Sequence, residues 1–287
     1  MRAHDTYHVW SPDSRWLLRW RDGGPLRLWE TATARLVAKR RLTGGVVPAF
    51  SPSSDAVYVN VIEDQTLLVL EAATLKPARA PIELGTPVAA VVPHPDDGSV
   101  FAIALDGAVL RVVPDTGALA SVAPTGTFPP WTVEAEVSPD GARFLGPNLN
   151  GDNVEVQLVD TTTWERFGTA AVRDERFGNF DLSPDGTQLA SLDADRLALF
   201  DGTTGARLAT VRLPVFTPSA RLTYLPDTSG VLVAGIDGRT WTVDSAPDSW
   251  VDRACAIAGR NLSRAEWKEY FPGRAYEVTC ARWPAGG

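Results

Sequence analysis

The chain has 287 residues, 44% of them hydrophobic and 22% charged, with mean hydropathy near neutral at −0.07, an ordinary globular composition with ample apolar content for a core. A net charge of −8 argues against broad nucleic-acid binding, which needs a basic surface. No run reaches the roughly 18 apolar residues of a membrane helix, and the segment Met1 to Asp5 lacks the apolar core of a leader, so no membrane span and a cytoplasmic location are expected.

The charge is unevenly placed. Residues 1–42 hold nine basic side chains (Arg2, Arg15, Arg19, Arg21, Arg27, Arg35, Lys39, Arg40, Arg41) and four acidic ones (Asp5, Asp13, Asp22, Glu30). That segment is therefore +5 and the remainder −13. Either it is a solvated face complementing an acidic neighbouring repeat, or it is a docking patch for an acidic partner.

Six times along the chain an apolar residue runs into a turn with proline second. The turns read Trp10-Ser11-Pro12-Asp13, Phe50-Ser51-Pro52-Ser53, Pro93-His94-Pro95-Asp96, Val137-Ser138-Pro139-Asp140, Leu182-Ser183-Pro184-Asp185 and Tyr224-Leu225-Pro226-Asp227. Their prolines are spaced by 40, 43, 44, 45 and 42 residues, a period that predicts propeller blades. Each turn is followed by a short apolar strand, such as Trp16-Leu17-Leu18 or Val231-Leu232-Val233, and then by a turn rich in Asp, Asn and Gly, such as Asp106-Gly107. Those residue types tolerate the positive φ of tight hairpins. The next strand alternates, as in Val154-Glu155-Val156-Gln157-Leu158, which predicts one face in the core and the other towards solvent. It commonly ends on an apolar residue and an acid, as in Trp29-Glu30, Phe200-Asp201 and Val243-Asp244.

With these residues in place, the chain resembles the WD40 repeat family over about 240 residues. The resemblance implies an all-β propeller of four-stranded blades; the six repeats visible leave open a six-bladed ring closed by the tail, an incomplete seven-bladed ring, or a fragment of a longer repeat array. It departs from the family in having only His4, His8 and His94, so no imidazole network recurs in every blade. The third repeat also reads Val113-Pro114-Asp115 where the apolar-acid pair is expected. Apolar packing between blades, with ten Trp and ten Phe to draw on, is expected to supply most of the stability.

From Ser245 the spacing becomes helical, giving a propeller over residues 1–244 and a helical tail over 245–287 packed on it. Ser245 is the expected N-cap, Trp250, Val251, Ala254 and Ile257 form an apolar stripe, and Gly259 is the stop. Ser263-Arg264-Ala265-Glu266 is a capping-box pattern opening a second short helix that Pro272-Gly273 halts. The run from Ala254 to Cys280 resembles the C-terminus of bacterial WD40-repeat proteins, especially signalling NTPases that carry a propeller after their NTPase module. The resemblance implies a sensor end; no phosphate-binding G-x-x-x-x-G-K-[ST] loop occurs in this chain.

Candidates for chemistry are few. His94 reads as an exposed turn residue; no G-x-S-x-G elbow accompanies it. Asp193 and Asp195 suggest an acid pair or metal ligands but fit an ordinary acidic hairpin. Asn148, Asn150 and Asp152 alternate oxygen ligands, with Gly151 wrongly placed for an EF-hand. Trp131, after Phe128-Pro129-Pro130, is either an exposed anchor or a packed residue. Asn261-Leu262-Ser263 matches a glycosylation pattern in a tail expected to be buried. Cys255 and Cys280 are read by default as reduced thiols, with a disulfide as the alternative, and without a nearby His they make no zinc site. The expectation is a non-catalytic scaffold or sensor that binds a protein partner, with no cofactor, metal, nucleic acid or membrane, and with an upstream signalling module as a further element. The rival is the propeller part of a peptidase-type or quinoprotein-type enzyme.

Overall fold

The computed structural model describes residues 7–286 apart from 22, 130, 131, 133, 134, 151, 152, 173–179, 194, 215–219, 236 and 237. Six antiparallel sheets follow one another along the chain as the blades of a β-propeller. Blade one is β1 (Tyr7–Trp10), β2 (Trp16–Trp20), β3 (Leu26–Glu30) and β4 (Arg35–Arg40). Blade two is β5 (Val46–Phe50), β6 (Ala56–Val61), β7 (Thr66–Glu71) and β8 (Ile82–Glu83). Blade three is β9 (Val88–Pro93), β10 (Val100–Ala104), β11 (Val109–Val113) and β12 (Ala118–Ala123). Blade four is β13 (Glu136–Val137), β14 (Arg143–Asn150), β15 (Asn153–Asp160) and β16 (Arg166–Val172). Blade five is β17 (Phe180–Leu182), β18 (Gln188–Asp193), β19 (Arg196–Asp201) and β20 (Arg207–Arg212). Blade six has three strands, β21 (Arg221–Tyr224), β22 (Gly230–Ala234) and β23 (Thr240–Asp244). The chain then forms α1 (Pro247–Ala258) and α2 (Arg264–Tyr270), so no strand of the tail completes this sheet.

The proline turn joins the first two strands of each blade, and its serine explains why it recurs. Ser11 Oγ donates to Asp13 Oδ1 at 2.6 Å and accepts the Trp16 N–H at 2.8 Å. Ser183 repeats this with Asp185 at 2.6 Å and the Gln188 N–H at 2.9 Å. Ser138 does so with Asp140 and the Arg143 N–H. The fourth turn position has φ of 60° at Ser14, 70° at Gly141 and 70° at Gly186. Glycine there also makes room: a Cβ on Gly141 would stand 2.4 Å from the His94 ring.

Apolar clusters then join blade to blade. Trp16, Leu18, Leu26 and Leu28 pack on Phe50, Val57 and Val59 between blades one and two. Val69 and Leu67 meet Val91, Val100 and Ala102 between two and three. Phe101, Phe128 and Phe144 fill the three–four interface with Trp164 against them, ring centroids 5.1–5.7 Å apart. Leu145 and Val156 meet Leu182, Leu189 and Phe200 between four and five, and Leu197 and Leu199 meet Tyr224, Val231 and Val233 between five and six. Among the described residues no such cluster joins blade six to blade one.

The expected alternation holds on β3 and over Leu197–Leu199 of β19, where Leu26, Leu28, Leu197 and Leu199 are buried and the residues between them are partly exposed, but stacking on both sides overrides it on β15. Every residue of β10 is buried, and Val156, Gln157, Leu158 and Val159 are buried in succession, because a blade has a neighbour on each side. Phenylalanine fills the interfaces as expected, whereas within the propeller only Trp16 among the described tryptophans is fully buried. Two carboxylates latch inner strands together: Glu136 accepts the Leu182 N–H at 3.2 Å and Asp181 accepts the Tyr224 N–H at 2.8 Å.

The tail's two helix stops and its capping box form as expected. Gly259 caps α1 with φ of 65°, and Ser263 and Glu266 cap α2 reciprocally. The N-cap of α1 is Ala246, not Ser245. Ser245 is instead buried against blade six, donating to the Thr228 carbonyl at 3.1 Å while its own carbonyl accepts from Gln188 at 3.0 Å. The expectation of reduced thiols is overturned, since Cys255 and Cys280 are disulfide-bonded with Cα atoms 5.4 Å apart. Asn261 is buried and bound, its amide donating to the carbonyls of Cys280, Trp283 and Pro284 at 2.8–3.1 Å and accepting the Cys280 N–H at 2.8 Å. That leaves it no face for a glycan.

Candidate interaction surfaces

His94 takes the serine's place in the third proline turn. Its Nδ1 accepts the N–H groups of Asp96 and Asp97 at 3.2 and 3.3 Å, and its ring packs edge-on against Phe101 at 5.9 Å. Its side chain is only 14% exposed, so the exposed turn residue expected from sequence is a packed one. An imidazole supplies an acceptor as the serine hydroxyl does, and its larger ring reaches the next blade's turn at Gly141.

His94 also borders a groove of about 640 Å³ between blades three and four, with Asp97, Arg111, Asp140, Thr161 and Trp164 on its walls. Its charges are already matched. Arg111 pairs with Asp97 and donates to Ser99 at 3.1 Å. Arg143 pairs with Asp140 at 3.1 Å and donates to the Gly186 and Gly202 carbonyls of blade five at 2.9 and 2.8 Å. Burial pushes the Asp140 carboxyl up, but the Ser138 hydroxyl, the Ala142 N–H and Arg143 outweigh it and hold it below the ordinary range. A carboxylate held this way is a poor proton donor or acceptor near neutrality.

The other sequence candidates do not converge. Asp195 is bound to Arg212 at 2.5 Å, and the side chain of Asp193 lies outside the described residues. Asn148 and Asn150 pair with Glu155 and Asn153 across one hairpin, but their side chains, together with Gly151, Asp152 and Trp131, also lie outside the description. Among the described residues no three His, Cys, Asp or Glu side chains gather as a metal site.

The basic N-terminal stretch acquires a definite shape. On blade one the side chains of one face (Val9, Trp16, Leu18, Leu26 and Leu28) pack on blade two. The opposite face carries two rows across the strands. In one, His8 stands opposite Arg19, Arg19 opposite Arg27, and Arg27 opposite Lys39. In the other, Trp10 stands opposite Leu17, Leu17 opposite Trp29, and Trp29 opposite Leu36. Trp10 is 53% exposed. Arg19, Trp20, Arg21, Arg27 and Trp29 line a depression of about 320 Å³, and the Trp29 indole N–H is buried without a hydrogen-bond partner. Of the nine basic residues, Arg15 reaches Glu30 of its own blade at 4.0 Å and Arg40 the Leu75 carbonyl of blade two at 3.1 Å. Among the described residues none pairs with a carboxylate of another blade, so the reading of this charge as the complement of an acidic neighbouring repeat finds no contact. The charge excess was visible in the sequence; its alignment in one row depends on strand register, which the sequence signals only through turn positions.

In the tail, α1 has no buried residue. Of its apolar stripe, Trp250 packs on the blade-six core and donates its indole N–H to the Asp244 carbonyl at 3.0 Å. Ile257 is 81% exposed, and Val251, Ala254 and Ala258 line a shallow groove beside the disulfide.

No protein-family model matches the chain, and no curated protein matches it. Among solved structures it superposes on hydrazine synthase of Kuenenia stuttgartiensis with a TM-score of 0.52 at 12% identity, covering 83% of this chain and 95% of that one. At that identity the likeness supports the propeller fold alone.

Proposed function

We propose that this propeller is a non-catalytic interaction or sensor module of WD40-like type that binds a protein partner and uses no cofactor. The observation that carries the reading is the contrast between its polar sites. Rim carboxylates such as Asp13, Asp140, Asp185 and Asp195 are engaged by serines, backbone N–H groups or arginines, whereas the cations of blade one's outer face are unengaged. A rigid scaffold presenting free recognition groups suits binding. The finer form of the proposal, from the sequence resemblance of the tail, is a sensory end that works with a signalling NTPase. The cytoplasmic location expected from the sequence also belongs to the proposal. No helix among the described residues is long and apolar enough to cross a membrane, while the closed Cys255–Cys280 pair suits an oxidising compartment, which localisation of the tagged chain decides.

A hydrolase and dehydrogenase screen on the pure chain tests the reading. No turnover above a heat-denatured control is expected, and robust turnover would move the protein to the rival reading, the propeller part of an enzyme. An immunoblot with an antibody against residues 245–287 tests the NTPase link: a band several-fold above 30.9 kDa supports it, and a band at that mass removes it from this polypeptide.

A further inference from the structure

Blades two to five have apolar neighbours on both faces, yet among the described residues the outer face of blade one has none. We infer that this face is the docking surface of an acidic protein partner, which packs on it face to face as a further blade would. The inference rests on the interaction reading above and assigns it a place and a partner chemistry.

Three observations converge. First, Arg19 lies directly across from Arg27, and Arg27 directly across from Lys39. Like charges in directly opposed cross-strand positions repel one another and destabilise a sheet, and no hydrogen bond or ion pair of these three side chains offsets that here. An anionic surface laid over the row converts the repulsion into attraction. Second, the neighbouring row of Trp10, Leu17, Trp29 and Leu36 offers the aromatic and aliphatic anchors that dominate binding interfaces, and the Trp29 indole N–H still lacks an acceptor. Third, the two rows lie two residues apart on β1 to β3, with His8 and Trp10, Leu17 and Arg19, and Arg27 and Trp29, and a bulge on β4 sets Leu36 and Lys39 three apart. Two residues along a strand face the same way. The complement is therefore a sheet face with an acidic row and an apolar row at the same offset.

A second copy of this chain fits poorly. The face of blade six turned away from blade five carries Arg221, Thr223, Leu232, Thr240 and Thr242, with Asp244 its single described carboxylate. A nucleic acid would also meet the cations and tryptophans; the net charge of −8 argues against it as the general partner, and it forms a separate arm of the test.

The test titrates the full chain with poly-L-glutamate at low salt and reads tryptophan emission, with the oligonucleotide dT20 as a parallel arm and sedimentation velocity to follow self-association. Saturable binding of poly-L-glutamate is expected, at least tenfold weaker in Arg19→Glu/Arg27→Glu and intermediate in the gentler Arg19→Gln/Lys39→Gln. It should be unchanged in Arg253→Glu/Lys268→Glu, which reverses exposed charge in the tail. Far-ultraviolet circular dichroism confirms that each variant is folded. Poly-L-glutamate binding that ignores the blade-one variants would overturn the assignment of this face while leaving the interaction reading standing. Tighter binding of dT20, or self-association lost in Arg19→Glu/Arg27→Glu, would overturn the partner class. The interaction reading itself falls only if the turnover screen is positive.

Discussion

The propeller and the tail are held together by different means. In the propeller, five apolar clusters and a repeated serine-centred turn do the work, and the largest fully buried side chains, among them Phe128, Phe144 and Phe200, lie there. In the tail from Pro247 onward, only Trp267, Cys280 and Asn261 among the described residues are buried. A disulfide, an amide hub at Asn261 and the Arg260–Glu266 pair at 2.7 and 2.8 Å take the place of a core. A segment of some 40 residues buries too little surface to fold on hydrophobic packing alone, and small units commonly rely on such staples. The difference shows that one chain can use period-two packing where neighbours exist and covalent or polar ties where they do not.

Breaking the propeller's side of this comparison should have the largest effect. Phe144→Ala leaves a cavity among Phe101, Phe128 and Trp164 and is expected to cost about 4 kcal/mol, measured as a lowered midpoint in urea unfolding followed by near-ultraviolet circular dichroism. Proteolysis within α1 should not change in that variant at low denaturant. The tail's counterpart is Cys255→Ser, which opens a loop of 25 residues and should cost the tail about 3 kcal/mol. Limited proteolysis between α1 and α2 should accelerate while the propeller midpoint stays put; a fall in the propeller midpoint would show that the two regions are coupled.

Asp181 sharpens the comparison from within the propeller. Burial, more than any other influence, holds its carboxyl above the ordinary range, although it accepts the Tyr224 N–H. The folded state therefore binds its proton more tightly than the unfolded state does, and stability falls as pH rises from the ordinary carboxylate value to the raised one. Asp181→Asn keeps an acceptor for Tyr224 and should remove that decline, changing stability near neutrality by about 1 kcal/mol at most. The acid side of the profile should persist in the variant. Asp13, Asp55, Asp140 and Asp185 all lie below the ordinary range, and the stability they contribute is lost as pH falls through their folded values.

The smallest effect belongs to the tail's surface. Arg260 first, and then the Ser263 N–H, pull Glu266 down to about 2, so the cap of α2 should weaken only as pH falls from the ordinary glutamate range towards that value. Arg260→Gln should move the Glu266 titration upward in a carboxyl-resolved NMR series, with little change in stability because the pair is exposed.

Much of this architecture was legible in the residues. The proline period placed all six blades because each turn, most clearly the Ser-Pro-Asp turns of blades one, four and five, closes on its own strand, so the signal is local. Gly259 and the Ser263–Glu266 box ended and began helices for the same reason. What escaped was non-local. Nothing in the sequence distinguishes a strand face covered by a neighbouring blade from one that is bare, so Gln157 and Arg27 look alike as the polar residues of alternating strands, though Gln157 is buried. The closing of Cys255 on Cys280 depends on how the chain returns past Asn261, and the roles of Asp181 and Glu136 as latches depend on the next blade's backbone. His94 was misread as exposed because its partner, Gly141, lies 47 positions further along the chain.

The lack, among the described residues, of an apolar cluster between blade six and blade one also bears on how the molecule comes apart. Six stacked units with five cohesive junctions behave as a linear array with two termini, where opening can start at either end and travel inward. Amide exchange should then be graded, fastest in blades one and six and slowest in blade three, whereas a sealed circle would exchange evenly around its circumference. A ligand seated on blade one would lengthen the array by one unit and slow exchange in blade one first.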